Sequence, residues 1–91
     1  MSKVIWKYPL EVRDSNVIKM PEGAKILCVQ TQNNIPCIWA IVDAEESLEN
    51  RFFRIVGTGQ FLQKEYLDYK EYIGTFQLDN GLLVFHLFED M

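Results

Sequence analysis

The dipeptide Asn80-Gly81 stands between two runs of alternating apolar and polar residues, 71–79 and 82–89. Asn and Gly both accept the positive φ that a two-residue hairpin turn demands, so the junction predicts a β-hairpin. A two-residue turn also fixes the register, pairing Asp79 with Leu82, Gln77 with Val84 and Thr75 with His86. One face then carries Tyr72, Gly74, Phe76, Leu78, Leu83, Phe85 and Leu87, which is a core face. The other carries Ile73, Thr75, Gln77, Val84, His86 and Phe88, a polar trio framed by apolar residues.

A second junction, Asn33-Asn34, joins the runs 25–32 and 35–43 in the same manner. Leu27, Val29, Ile38, Ala40 and Val42 line one side of this hairpin, and Ile26, Cys28, Cys37, Trp39 and Ile41 the other. A strand pair apolar on both faces is covered on both. Three further short runs rich in β-branched and aromatic residues, 4–12, 16–20 and 51–58, read as strands. Pro9 marks the first as an edge or bulged strand, since proline has no donor for a ladder. The segment 60–70 follows neither period cleanly and reads as a loop with a short helical turn. The expected fold is all-β: about seven antiparallel strands in a small sandwich or partly open barrel. A length of 91 residues allows a single domain over 1–91.

Composition narrows the function classes. The formal net charge is −4, which argues against general nucleic-acid binding through phosphates. No apolar run approaches the roughly 20 residues of a membrane helix, and none near the start has signal-peptide length. The expected setting is therefore cytoplasmic, where the two cysteines, Cys28 and Cys37, are free thiols. A zinc site is not expected, because His86 is the only other soft ligand. The excess apolar surface of so short a chain points to a homo-oligomer, with a dimer favoured.

The candidate ligand-binding residues are Arg54, Thr58, Gly59, Gln60, Thr75, Gln77 and His86. Arg54 lies within the strand Arg51-Phe52-Phe53-Arg54-Ile55-Val56, where a guanidinium would bind phosphate or pair with a carboxylate. Gly57-Thr58-Gly59-Gln60 follows at once, a glycine-bracketed bend whose amides would form an anion nest. It lacks the lysine and helix of a P-loop. His86 has Thr75 and Gln77 beside it on the predicted hairpin, neighbours suited to hydrogen-bond recognition rather than acid–base work. No activated nucleophile or acid–base pair is visible, so no catalytic residue, cofactor or enzymatic activity is expected. The acidic group Asp43, Glu45, Glu46 and Glu49 reads as a solvated loop.

Several strings carry a resemblance: Lys7-Tyr8-Pro9-Leu10-Glu11, Met20-Pro21-Glu22-Gly23-Ala24-Lys25-Ile26-Leu27, Pro36-Cys37-Ile38-Trp39-Ala40, Arg54-Ile55-Val56-Gly57-Thr58-Gly59, Tyr72-Ile73-Gly74-Thr75-Phe76-Gln77 and Leu83-Val84-Phe85-His86-Leu87-Phe88-Glu89. Together they resemble a family of small uncharacterised all-β proteins from bacteria and their phages. The resemblance implies a bacterial host cytoplasm and carries over no functional residue. By analogy with small phage proteins that hold host nucleotide signals, the expected function is non-catalytic ligand binding: sequestration of a nucleotide immune signal of the host. Arg54 would meet phosphate, while Gln77 and His86 would read base or ribose edges. The alternative is a protein-interaction module that binds and inhibits a host protein through sheet edges or the acidic loop.

Overall fold

The computed structural model describes residues 2–91. Seven strands and one short helix follow in the order β1 (Lys3–Pro9), β2 (Ser15–Pro21), β3 (Lys25–Gln32), β4 (Ile35–Asp43), β5 (Leu48–Gly57), α1 (Glu65–Asp68), β6 (Lys70–Leu78) and β7 (Leu83–Asp90). They form two open antiparallel sheets, ordered β1-β4-β3 and β2-β5-β7-β6, with no closed barrel. Both sheets bury one face in a common core. Val29, Ile38, Ala40 and Val42 come from the first sheet, and Met20, Phe53, Ile55, Phe76, Leu78 and Leu87 from the second.

Turn chemistry sets the two hairpins. Asn33 and Asn34 adopt φ of 52° and 64°, and Gln32 pairs with Ile35 across them, the two-residue turn that the sequence predicts. The second hairpin is looser. Asp79, Asn80 and Gly81 all have positive φ, and the loop spans four residues, 79–82. The register is nonetheless the expected one, with Gln77 opposite Val84 and Thr75 opposite His86. The tips also clasp each other. Asn34 Nδ2 donates to Asp79 Oδ1 at 2.8 Å, and the Asp79 amide donates to Asn34 Oδ1 at 2.8 Å. This exchange holds Asp79 in a conformation that an aspartate rarely takes alone.

β1 is an edge strand, as Pro9 predicts, but it stops there rather than reaching residue 12. Residues 10–14 instead carry the chain to the other sheet. Leu10 anchors this passage in the core, and the buried Asn16 side chain closes it, accepting from the Glu11 amide and donating to the Glu11 carbonyl. Buried amides need such partners.

Two irregularities redistribute side chains between faces. The β3–β4 register shifts between Ile26 and Cys28, so Ile26 turns into the core while Leu27, expected inside, is 42% exposed. The β6–β7 register shifts between Tyr72 and Gly74. Ile73 therefore packs on the core, and Tyr72, expected there, moves to the opposite face with Phe88. An extra residue in one strand of a pair reverses the alternation beyond it. On the outer side of the first hairpin, Cys37 is buried and Cys28 and Trp39 are half-buried, and both cysteines are free.

Gly74 marks a close approach of the two sheets. A Cβ added there would lie 2.9 Å from Val29 Cγ1, so β3 and β6, the neighbouring sheet edges, meet only because residue 74 has no side chain. Elsewhere the core is closed by an ion pair. The Arg51 guanidinium binds the buried Glu89 carboxylate through two nitrogens and donates to the Ala24 carbonyl at 2.9 Å. The hydrogen bond to Glu89 holds the Arg51 pKa above its ordinary value against the opposing effect of burial.

The Gly74–Val29 contact yields a stability prediction. Gly74→Ala should destabilise the fold by about 1–3 kcal/mol, the usual cost of overpacking. Val29→Ala removes the obstructing methyl, so adding Gly74→Ala to that background should cost distinctly less. Chemical denaturation of the two single variants and the double variant measures this coupling.

Candidate functional site

The order of the second sheet dictates where a site forms. β5 and β6 lie on either side of β7, so the chain leaving β5 must cross over β7 to begin β6. Residues 58–69, including α1, make that crossing over the outer face of the sheet. Tyr66 seats the segment against Phe88, ring edge to face at 5.2 Å, and Phe88 also touches Tyr72 at 5.6 Å. Between the crossing segment and the sheet lies a cleft of about 300 Å³. Val56, Leu62, Tyr72 and Phe88 supply its apolar lining, and Thr58, Gln60 and His86 its polar groups, with Gly57 and Gly59 in the wall. No lysine, arginine or carboxylate is among these lining residues.

A continuous hydrogen-bonded chain runs along the cleft. Tyr72 Oη lies 2.5 Å from Thr75 Oγ1, and Thr75 Oγ1 lies 2.8 Å from His86 Nδ1. On the other side of the ring, His86 Nε2 lies 2.8 Å from Thr58 Oγ1, which in turn donates to the Val84 carbonyl at 3.3 Å. The carbonyl can only accept, which defines one proton order along the chain. With its proton on Val84, Thr58 accepts from His86 Nε2–H. Nδ1 then accepts from Thr75, and Thr75 accepts from Tyr72. The bend after β5 is fixed as well, because Gln60 Oε1 accepts from the Gly57 amide at 3.0 Å and the Gln60 amide donates to the Gly57 carbonyl. Gly59, at φ of 87°, supplies the left-handed residue of this turn.

Of the seven residues predicted from sequence, Thr58, Gly59, Gln60 and His86 line the cleft, and Thr75 binds His86 from the facing position on β6. Arg54 does not line it. Its guanidinium donates to Ser15 Oγ at 2.9 Å and lies 3.5 Å from Asp90, in a neighbouring hollow of about 210 Å³ that shares Gln60 with the cleft. Gln77 lies toward the hairpin tips, in a polar depression with Thr31, Asn34 and Asp79. Sequence reasoning missed Tyr72, Leu62 and Phe88 as cleft residues. Gly74 inside a strand pattern was the available signal for Tyr72, since such a glycine marks a bulge.

A family model covers every segment that forms this cleft.

The chain belongs to the DUF7352 family.

That model, described as a domain of unknown function, matches residues 1–91. No curated protein and no solved structure matches the chain. Among the described residues of this DUF7352 domain, no group of three or more His, Cys, Asp or Glu side chains could hold a metal ion, and no helix is long and apolar enough to cross a membrane.

The proton order in the DUF7352 cleft is measurable. Nitrogen-15 NMR of the imidazole should find neutral His86 protonated at Nε2 with Nδ1 bare, and Thr58→Val should shift the Nε2 resonance most. A neutral ring carrying its proton on Nδ1 would reverse the assignment.

Proposed function

We propose that this protein binds a small ligand bearing a planar, largely uncharged ring, with a nucleobase as the class that suits the cleft best, and that it holds this ligand without converting it. The observation that carries the reading is the cleft beneath residues 58–69. It combines the aromatic side chains of Tyr72 and Phe88 with a row of fixed hydrogen-bonding groups at Thr58, Gln60 and His86. Few polar groups in an otherwise apolar hollow are the usual pattern of a small-molecule site. The absence of charge among the lining residues suits a ring edge and not a phosphate. A phosphate on such a ligand would reach toward the adjoining hollow, where Gln60 is shared and Arg54 is the one cation among the lining residues, and would compete there with Asp14 and Asp90.

The resemblance to bacterial and phage proteins supports a wider role for such binding, namely sequestration of a nucleotide immune signal in a host cytoplasm. That role needs no catalytic group. His86 fits a holding function, because both ring nitrogens already have hydroxyl partners. One observation favours a second reading. Thr58 Oγ1 and His86 Nε2 are within the reach of a nucleophile–base pair. That pair would need a bare Nε2, opposite to the order in which Thr58 donates to Val84, and no carboxylate lines the cleft to support the ring as a base, so binding stands ahead of catalysis.

Isothermal titration with adenosine and with adenosine monophosphate tests the reading. Both should bind, and Phe88→Ala should weaken adenosine at least ~10-fold, the effect of losing one aromatic anchor. His86→Ala should weaken it by releasing the Thr58 and Thr75 hydroxyls that the ring holds in place. Gln77→Ala should leave adenosine affinity unchanged. Any advantage of the monophosphate over adenosine should disappear in Arg54→Ala. No binding of either probe at millimolar concentration would overturn the proposal.

A further inference from the structure

Most apolar side chains on the sheets are at least partly covered, but β1 is exposed on both of its faces. Val4, Ile5 and Trp6 are 39%, 61% and 42% exposed, three consecutive large apolar residues on one strand. β1 pairs only with β4, so its far side is a free sheet edge. The ladder shows which backbone groups lie there. The Leu10 amide donates to the Pro36 carbonyl in the same register that pairs Tyr8 with Ile38 and Trp6 with Ala40. Antiparallel bonds alternate along a strand. The even residues of β1 therefore bond to β4, and the amides and carbonyls of Lys3, Ile5 and Lys7 point outward, with the Pro9 carbonyl.

β1 is the edge best suited to such pairing. β3 and β6 lie against each other at the Val29–Gly74 contact, and β2, the other free edge, carries one exposed large apolar side chain, Val17, where β1 carries three. Edge strands with unpaired backbone and apolar side chains are templates for another strand. From these observations we infer that β1 pairs antiparallel with β1 of a second copy, on a two-fold axis through Trp6, joining the two three-stranded sheets into one of six strands.

The strand is self-complementary in that arrangement. Trp6 is its midpoint, so the axis through Trp6 overlaps all of Lys3–Pro9 with its counterpart. Ile5 faces the partner's Lys7, Val4 faces the partner's Tyr8, and Lys3 faces the partner's Pro9. No lysine faces a lysine, whereas a shift of two residues either way places Lys3 opposite Lys7 or Lys7 opposite itself. The outward groups of Ile5 and Lys7 then exchange bonds with their counterparts. Lys3 donates to the carbonyl of the partner's Pro9, which leaves only the Lys3 carbonyl, at the strand end, to water. Trp6 meets the partner's Trp6 at a non-hydrogen-bonded position, where side chains come closest. That contact extends the core side of the sheet and covers Val4 and Trp6, both partly exposed in the monomer. An isologous contact of this kind closes at two subunits.

The test uses the full chain. Sedimentation equilibrium should give twice the chain mass of 10.7 kDa at micromolar concentration and above. Ile5→Pro removes an outward amide that β4 does not use, and it should yield a folded monomer by circular dichroism. Trp6→Cys should form a disulfide between the two copies under mild oxidation, joining position 6 of one to position 6 of the other, as identified by peptide mass mapping. Val4→Cys, facing the partner's Tyr8, should form no such bridge. A monomer across the concentration range, or a dimer in which Trp6→Cys fails to bridge, would overturn the inference.

Discussion

The missing side chain at Gly74 is the constraint on which the rest of this structure depends. It lets β6 approach Val29 of β3 so closely that a methyl group there would overlap it. Two open sheets thereby share a core along neighbouring edges. The same stretch of β6 holds the register shift at Ile73, which sends that residue into the core and turns Tyr72 outward. A single irregular dipeptide thus serves packing on one face and chemistry on the other. Natural strands commonly place a bulge where a functional side chain must be re-aimed.

Topology does the rest. Because β7 separates β5 from β6, the connection between them has to pass over β7, and His86 and Phe88 lie on the face it passes. The crossing segment does not lie flat. Tyr66 pins it to Phe88 while Leu62 and Gln60 stand over the hollow, and a cleft remains between segment and sheet. Along its floor the chain from Tyr72 through Thr75, His86 and Thr58 to the Val84 carbonyl has every donor matched to an acceptor. A satisfied network of this kind is rigid and presents fixed partners to a ligand.

Much of the fold was legible in the sequence, for identifiable reasons. β3 and β4 begin and end where the runs 25–32 and 35–43 do, because Asn33 and Asn34 adopt the left-handed turn expected of them. The pairing of Thr75 with His86 was equally legible, since the Asn80-Gly81 loop keeps the predicted register despite its greater length. What was hidden is what local pattern cannot encode. Alternation alone places Tyr72 and Leu27 inside, and only the bulges beside them reverse that. Strand order was hidden too, and with it the separation of Arg54 and Gln77 from the cleft. Arg54 shares a face with Phe88 across the β5–β7 pair, but Ser15 and Asp90 engage it there.

That the cleft under residues 58–69 holds a small molecule is tested most directly by native mass spectrometry of protein purified from a bacterial lysate, before and after denaturation. The expected result is a folded species heavier than its polypeptide by a nucleoside- or nucleotide-sized mass. That mass should be released on denaturation and absent from Phe88→Ala. A bare polypeptide mass under native conditions, unchanged on denaturation, would contradict it.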